Sequence, residues 1–171
     1  MTMKKIIIAI LLLSSTAVAG PKSSPATVKE TVAGKHELSG STSASLLRTG
    51  GKTFLGAGVG YGYYLTDSVK PGVDVDFVVG RHISALALVP NLTYYADKFK
   101  SVVPFVSGGF GVVTSKVYSV TNTTAVLGLG AGIKIPFNER VSASTGIVYS
   151  RSFAGKGSNS FALPVGLSVL F

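Results

Sequence analysis

The sequence contains no cysteine and no tryptophan, and only 7 of its 171 residues are acidic. Without cysteine, the chain has neither the disulfide framework of a small secreted domain nor a residue to which a lipid anchor is attached. Charged residues make up only 13% of the chain, which is low for a soluble domain of this length. Beyond residue 13 there is no apolar run of the roughly 20 residues that a transmembrane helix needs. These absences exclude a lipoprotein, a disulfide-stapled domain and a helical membrane protein.

The N-terminus has the pattern of a secretory signal peptide. Two lysines precede the apolar run Ile6–Leu13, and a small-residue site that ends at Ala19 follows. We therefore expect a signal peptide over residues 1–19, cleaved after Ala19, and a flexible periplasmic segment over residues 20–31. The formal net charge of +9 indicates phosphate-bearing partners, which for an exported protein are lipid head groups rather than nucleic acid.

The apolar residues beyond the signal peptide alternate with small or polar residues instead of forming runs. Such alternation lets one face of a strand meet lipid and the other a lumen, and it is compatible with a mean hydropathy of +0.47. Eight alternating segments of bilayer-crossing length are separated by turn signals. They predict an all-β fold, an eight-stranded antiparallel up-and-down transmembrane β-barrel over residues 32–171. The predicted strands are 35–47, 53–65, 73–81, 83–95, 102–115, 125–135, 141–152 and 161–171.

The stretch FLGAGVGYGYYL, residues 54–65, has glycine at every second position from Gly56 to Gly62. Part of it matches the start of a dinucleotide-binding fingerprint, but no helix follows in the pattern, so a phosphate loop is rejected. The period of two instead predicts that the four glycines lie on the inner face of the second strand. Either bulky luminal residues such as Phe105 or water must then fill the space that these glycines leave.

Two segments resemble the small eight-stranded outer-membrane barrels of the OmpX and OmpA transmembrane-domain type. The segment VVPFVSGGFGV, residues 102–112, is similar to the fifth strand of those barrels, and the last strand is similar to their C-terminal assembly signal. The resemblance implies a bacterial outer-membrane location, short periplasmic turns and contact with the barrel assembly machinery during biogenesis, and we expect a monomer. The residues of the predicted C-terminal signal are Phe161, Leu163, Val165, Leu167, Val169 and Phe171.

Two sets of charged residues follow from the predicted strands. Six cations fall at the outer strand ends, where they face the phosphates of lipopolysaccharide or form an ordinary solvated rim. A second set points into the periplasmic half of the lumen, where it acts as a structural plug or as a gate. The rim consists of Arg48, Lys52, Arg81, Lys116, Arg151 and Lys156, and the luminal cluster of Lys35, Glu37, Asp74, Asp76 and Lys134.

Aromatic residues at the periplasmic strand ends predict an interfacial belt at one level. Its predicted members are Tyr61, Tyr63, Tyr64, Tyr94, Tyr95, Phe99, Phe137 and Phe171.

The pair His82 and Ser84 could be a catalytic nucleophile with its base. Some small outer-membrane barrels are enzymes that modify lipid A, and one family of lipid A deacylases carries a His-x-Ser motif. Here the pair falls between the third and fourth strands, and no acidic residue lies nearby to orient the imidazole. We therefore predict no catalytic, cofactor or metal site, and a non-enzymatic barrel with a structural or surface-interaction role. A narrow pore or conduit for small or apolar solutes is the alternative, and a lipid A-modifying enzyme is the third possibility.

Overall fold

The computed structural model describes residues 31–47, 52–79, 83–96, 102–117, 120–153 and 157–171. The strands are β1 (His36–Leu47), β2 (Lys52–Tyr63), β3 (Val69–Val79), β4 (Ile83–Tyr95), β5 (Val103–Val117), β6 (Val120–Pro136), β7 (Val141–Ser152) and β8 (Ser158–Leu170). Each strand pairs with the next in antiparallel fashion, and β1 also pairs with β8. The result is a closed up-and-down barrel, which confirms the predicted fold. No helix in the described part of the chain is long and apolar enough to cross a membrane.

Closure brings the start of β1 and the end of β8 to one rim of the barrel. The N–H of His36 donates to the carbonyl of Phe171 at 2.8 Å, and the N–H of Phe171 donates to the carbonyl of His36 at 2.9 Å. We call this rim, with the connections 64–68, 96–102 and 137–140, the terminal end. The opposite rim, with the connections 48–51, 80–82, 118–119 and 153–157, is the distal end. No connection between consecutive strands exceeds seven residues.

The distribution of apolar side chains is the reverse of that in a soluble protein. Among the described residues only three hydrophobic side chains are buried, those of Tyr64, Tyr95 and Val126. Large hydrophobic side chains are instead exposed along the outer surface, while glycine, serine and charged residues face the lumen. The strands are 11 to 17 residues long, which is enough to cross a bilayer, where about 9–11 are needed. This surface fits the transmembrane barrel that the alternating pattern predicts.

The third strand begins earlier than its turn residues predict. β3 starts at Val69, so Pro71 and Gly72 lie within a strand rather than in a turn. The β2–β3 pairs end at Gly72, so the missing N–H of Pro71 interrupts no pair with β2, while pairing with β4 continues to Val69. The predicted start at residue 73 is therefore wrong, and the longer strand brings Lys70 into the barrel wall.

At the distal end, β6 and β8 exceed their predicted bounds by the most residues. β6 begins at Val120 rather than at residue 125, and β8 begins at Ser158 rather than at residue 161. The additional residues are mostly polar, because strand pairing continues beyond the part of the barrel where apolar residues alternate. β4 and β7 have the predicted bounds.

Prolines locally interrupt the pairing of two strand pairs. The β4–β5 register has no pair at Pro90, and the β7–β8 register has none at Pro164. Proline lacks the N–H that a ladder bond requires, so an interruption at these residues is expected. Pro104 is accommodated within the β5–β6 register, opposite Ile133.

Candidate functional site

A buried carboxylate near the terminal end connects opposite sides of the lumen. Glu37 of β1 is only 4% exposed. Its Oε1 accepts a hydrogen bond from Lys70 Nζ of β3 at 2.5 Å. Its Oε2 is paired with Lys134 Nζ of β6 and accepts a bond from the Tyr64 hydroxyl at 2.9 Å. Because β6 is adjacent to neither β1 nor β3, these bonds span the lumen rather than follow its wall.

Two tyrosine rings complete this cluster. Tyr64 and Tyr95 are 4% and 7% exposed, and their ring centroids lie 5.6 Å apart. Lys134 Nζ lies 5.3 Å from the Tyr95 centroid and 5.6 Å from the Tyr64 centroid. Lys70 Nζ lies 5.6 Å and 5.7 Å from the same two centroids, so both ammonium groups are within cation–π distance of both rings. We call Glu37, Tyr64, Lys70, Tyr95 and Lys134 the luminal plug.

No buried polar side-chain atom of the luminal plug lacks a hydrogen-bond partner, and its two lysines share one carboxylate. The side chains of Lys70 and Lys134 are 13% and 14% exposed, so both cations are largely removed from water together with Glu37. Removing ions from water costs several kcal/mol per ion, by a rough estimate, unless partners and hydrogen bonds replace the lost hydration. Here each carboxylate oxygen has a lysine partner, and Lys134 also donates to the Tyr64 hydroxyl at 2.9 Å. The arrangement is therefore a connected network and not an isolated surface pair.

The predicted luminal residues separate into three environments. Glu37 and Lys134 meet in the plug. Asp74 accepts a hydrogen bond from the Asn91 side chain at 2.8 Å, and Asp76 makes no hydrogen bond or ion pair with another described residue. Lys35 precedes β1, where its carbonyl accepts from the Tyr64 N–H at 2.9 Å, and it is not a partner of Glu37.

Three members of the plug are missing from the predicted cluster. The predicted strand bounds leave Lys70 in the connection between the second and third strands, next to the turn signal Pro71, and the predicted interfacial belt includes Tyr64 and Tyr95. The signal for Lys70 was present in the sequence, since it has the same parity as the inward-facing Asp74. The two tyrosines likewise continue the set of alternate positions that face the lumen on their strands. This position, rather than the usual preference of tyrosine for a membrane interface, determines where their side chains lie.

The inward glycines of β2 make room for side chains of the neighbouring strands. A Cβ on Gly60 would lie 2.6 Å from Ser39 Oγ and would also collide with the Asp74 carboxylate. A Cβ on Gly62 would lie 2.8 Å from Lys70 Cδ. Both distances are shorter than real Cβ contacts, so any larger residue at these positions would displace the side chain of Ser39, Asp74 or Lys70. The glycine stripe is thus what lets β3 direct charged side chains into a narrow lumen.

Phe105 does not fill the space beside these glycines. Its ring lies beside the Tyr95 ring at 5.8 Å between centroids and packs against Gly132, where a Cβ would be 2.8 Å from Phe105 Cζ. The lumen keeps a cavity of about 260 Å³. Its lining includes Asp74 and Asp76 together with serine and glycine residues from most strands. The cavity also borders the plug, since Glu37, Lys70, Tyr95 and Lys134 line it.

Of the six predicted rim cations, the structure describes the side chains of two. Lys116 and Arg151 are exposed at the distal end, and they lie on β5 and β7 rather than in the connections. The Arg151 guanidinium is 5.9 Å from the ring of Phe153. Arg48, Arg81 and Lys156 lie outside the described residues, and Lys52 is described only in its backbone.

The predicted aromatic belt is partly wrong, because Tyr64 and Tyr95 are inside the lumen. Phe99 lies outside the described residues. His36 joins the belt, with its ring 5.0 to 5.9 Å from three aromatic rings and its Nδ1 2.5 Å from the Tyr61 hydroxyl. The belt residues exposed at the terminal end are Tyr61, Tyr63, Tyr94, Phe137 and Phe171.

The six residues of the predicted C-terminal signal all face outward and are exposed. Their alternation therefore corresponds to one outer face of β8, which reaches the rim where Phe171 meets His36. Recognition of this face by an assembly factor stays a prediction.

His82 and Ser84, for which the sequence predicts no catalytic role, form no complete triad with the described residues. Ser84 is exposed near the start of β4, and His82 lies outside the described residues. The register pairs Ser84 with Val79 on one side and with Lys116 on the other, and neither is a histidine or a carboxylate. In the described part of the distal end, no Asp or Glu is available to orient an imidazole.

Comparison with known proteins identifies the fold. No family model matches the sequence, and no curated protein matches it. Among solved structures, Neisserial surface protein A (NspA) is similar with a TM-score of 0.67 and 16% identity, covering 79% of this chain and 95% of that one. The N-terminal β-barrel domain of Pseudomonas aeruginosa OprF is similar with a TM-score of 0.62 and 17% identity, covering 83% and 100%.

A third similar structure is an enzyme. The outer membrane enzyme PagL has a TM-score of 0.54 and 16% identity, and the match covers 76% of this chain and 97% of PagL. At these identities the similarity establishes the fold alone. Enzymes and other outer-membrane proteins share this fold, so it does not determine the function.

Proposed function

We propose that this chain, which has the fold of the small eight-stranded outer-membrane barrels, is a monomeric, non-enzymatic protein of the bacterial outer membrane. Its role in this proposal is structural, or lies in interaction at the cell surface. The observation that carries the proposal is the luminal plug, in which Glu37 joins Lys70 and Lys134 across the lumen. A barrel closed in this way offers its outer surface and its rims for function, rather than its interior.

The geometry of the plug supports a closed lumen for three reasons. An eight-stranded barrel encloses a space that side chains can fill. Here two lysines, one carboxylate and two tyrosine rings meet at one level, and their contacts bridge from β1 to β6. Opening this level would separate charges that have little access to water, which is costly. We therefore propose a permanent plug rather than a gate.

Export and assembly follow the same proposal. The signal peptide over residues 1–19 would direct the chain across the inner membrane, and residues 20–31 would remain in the periplasm. The outer face of β8, from Phe161 to Phe171, would be the part that the assembly machinery recognises. The apolar exposure of all six signal residues supports this assignment.

The distal end would then face the outside, where its cations meet lipopolysaccharide. Lys116 and Arg151 are exposed there, and the described residues of this end include no acid. Phosphate groups bound by lysine and arginine form charge-assisted hydrogen bonds, which are about twice as strong as neutral ones. We propose that these two residues, with Arg48, Lys52, Arg81 and Lys156, form a cationic collar that fixes the barrel in the outer leaflet.

The second candidate function is a narrow pore or conduit. The observation that favours it is the cavity of about 260 Å³, which polar groups line from the plug toward the middle of the lumen. Conductance in planar bilayers distinguishes the two functions: a plugged barrel gives no reproducible single-channel steps, and a pore does. A variant with Glu37, Lys70 and Lys134 all replaced by alanine removes the charged part of the plug and leaves the two tyrosine rings, and it serves as the matched open control.

A further inference from the structure

The β6 strand extends beyond its neighbour β7 at the distal end. β6 begins at Val120, but its first pair with β7 is between Val126 and Ser152. The Phe153 N–H adds one bond, to the Ala125 carbonyl at 3.0 Å. On its other side, β6 pairs with β5 up to Val120 itself. The described residues thus leave one edge of Val120–Thr124 without a partner strand, and we call this segment the β6 edge.

The single bond to Phe153 shows to which side the backbone N–H and C=O groups of the β6 edge point. The carbonyl of Ala125 points toward β7, and in a strand every second residue directs its N–H and C=O to the same side. Thr121 and Thr123 therefore direct their N–H and C=O groups to the free edge, while Asn122 directs its own toward β5. Neither threonine bonds through these groups to any described residue.

The β6 edge lacks two features that usually prevent strand addition, charged residues and proline. Native edges carry charged residues, proline or bulges that exclude an incoming strand. The sequence Val120-Thr121-Asn122-Thr123-Thr124 has no charge and no proline, and its threonines and valine are residues favoured in strands. The first four of these residues are exposed, with Val120 at 60%.

Two cations flank the β6 edge. Lys116 is directly opposite Thr121 on β5, and it is exposed. Arg151 is exposed on β7, two residues before Phe153. A strand added along the edge would begin just beyond Phe153. The described part of the distal end carries no acidic side chain. A segment that binds here therefore gains from carrying acidic residues.

We propose that the β6 edge binds an extended acidic segment of another protein, which adds as a strand above β7. Main-chain bonds to Thr121 and Thr123 hold the segment, and Lys116 and Arg151 select for acidic side chains. The edge has a length of roughly 15 Å, at about 3.4 Å per residue, so it accommodates about five residues. The proposal depends on the barrel geometry and not on which side of the membrane the distal end faces.

A second copy of this chain does not fit as the partner. Two barrels in one membrane have the same orientation. If the β6 strand of a second copy paired with the edge, the rest of that strand would run from the edge toward the terminal end. That path is the position that β7 occupies in the first copy. A segment supplied from outside the membrane meets no such obstacle.

The test uses the barrel in lipid nanodiscs and a fluorescent ten-residue peptide in which aspartate or glutamate alternates with valine or threonine. We expect saturable binding, measured by fluorescence anisotropy, and slower hydrogen exchange at the amides of Thr121 and Thr123. Thr123→Pro removes an edge N–H while leaving the bonds to β5, and it should weaken binding by about tenfold or more. Thr123→Val keeps that N–H and is the matched control, with affinity within about twofold of the original.

Three binding results would overturn the proposal. These are the absence of saturable peptide binding, equal affinity in the Thr123→Pro and Thr123→Val variants, or tighter binding of a lysine peptide with the same alternation. A circular dichroism spectrum of each variant establishes that the barrel is folded before binding is compared. Protection of amides elsewhere, with Thr121 and Thr123 unchanged, would also exclude docking at this edge.

Discussion

Replacement of Glu37 by alanine is the most informative perturbation of the luminal plug. The substitution leaves Lys70 and Lys134 without their shared carboxylate, although their side chains are only 13% and 14% exposed. It also removes the acceptor of the Tyr64 hydroxyl. Two cations then face the same tyrosine rings with no anion between them, so we expect a large loss of stability.

The size of this loss follows from the burial of the network. Breaking a buried ion pair by removing one partner costs about 3–5 kcal/mol, because the remaining charge stays uncompensated. A solvent-exposed pair would cost about 1 kcal/mol or less. Since Glu37 is 4% exposed and bonds to both lysines, the cost of breaking a buried pair applies here rather than that of an exposed pair. We expect the free energy of unfolding of Glu37→Ala to fall by about 3–5 kcal/mol.

The measurement is equilibrium unfolding in urea with the barrel in detergent micelles. The chain contains no tryptophan, so circular dichroism of the β signal is the suitable probe. The variant Glu37→Ala, Lys70→Met, Lys134→Met removes the whole charge network and should recover most of the loss, because apolar replacement of a buried ion network is often neutral. Asp76→Asn is the matched control, since this luminal carboxylate has no partner among the described residues and its loss should cost little.

A change of less than about 0.5 kcal/mol in Glu37→Ala would refute the reasoning, because the pair would then behave as a surface pair. A triple variant as unstable as the single variant would refute it as well. In that case the loss would come from packing around Glu37 rather than from the uncompensated lysines.

Gly60→Val should lower the free energy of unfolding by about 1–3 kcal/mol through overpacking against β1 and β3, and urea unfolding measures it. Gly108→Ala is its control, since a Cβ there meets only one atom, at 3.6 Å, and unchanged stability in both variants would contradict a filled lumen wall. Charge reversal at Arg81 and Lys156 should reduce the lipopolysaccharide that co-purifies with the barrel, and an unchanged amount would exclude the collar. His82→Ala should leave the lipid A mass spectrum of cells that express the protein unchanged, and loss of a protein-dependent lipid A species would establish an enzyme.

The fold could be predicted because a barrel strand in lipid is specified by local alternation alone. The period of two fixed the outward set on β8 from Phe161 to Phe171, and it fixed the bounds of β4 and β7. Toward the distal end the alternation of apolar residues stops, but hydrogen bonding between the strands continues. This is why the start of β6 at Val120 could not be found from alternation.

The site was harder to predict because its contacts cross the lumen between strands that are distant in sequence. Glu37 and Lys134 are 97 residues apart, and only closure of the barrel brings them together. Lys70 was missed because Pro71 is a strong turn signal, whereas its strand tolerates proline where pairing with β2 has ended. Tyr64 and Tyr95 were missed because tyrosine at a strand end usually marks a membrane interface. In each case the residue occupies an alternate position that faces the lumen, and this position matters more than the local preference for a turn or for a membrane interface.

The central claim is that the plug closes the lumen, and single-channel recording in planar bilayers tests it most directly. The account predicts that the purified barrel gives no reproducible conductance steps, while the variant with Glu37, Lys70 and Lys134 replaced by alanine gives small, steady ones. Reproducible steps from the unmodified protein, at the same amplitude as the variant, would contradict a permanent plug and favour the narrow pore.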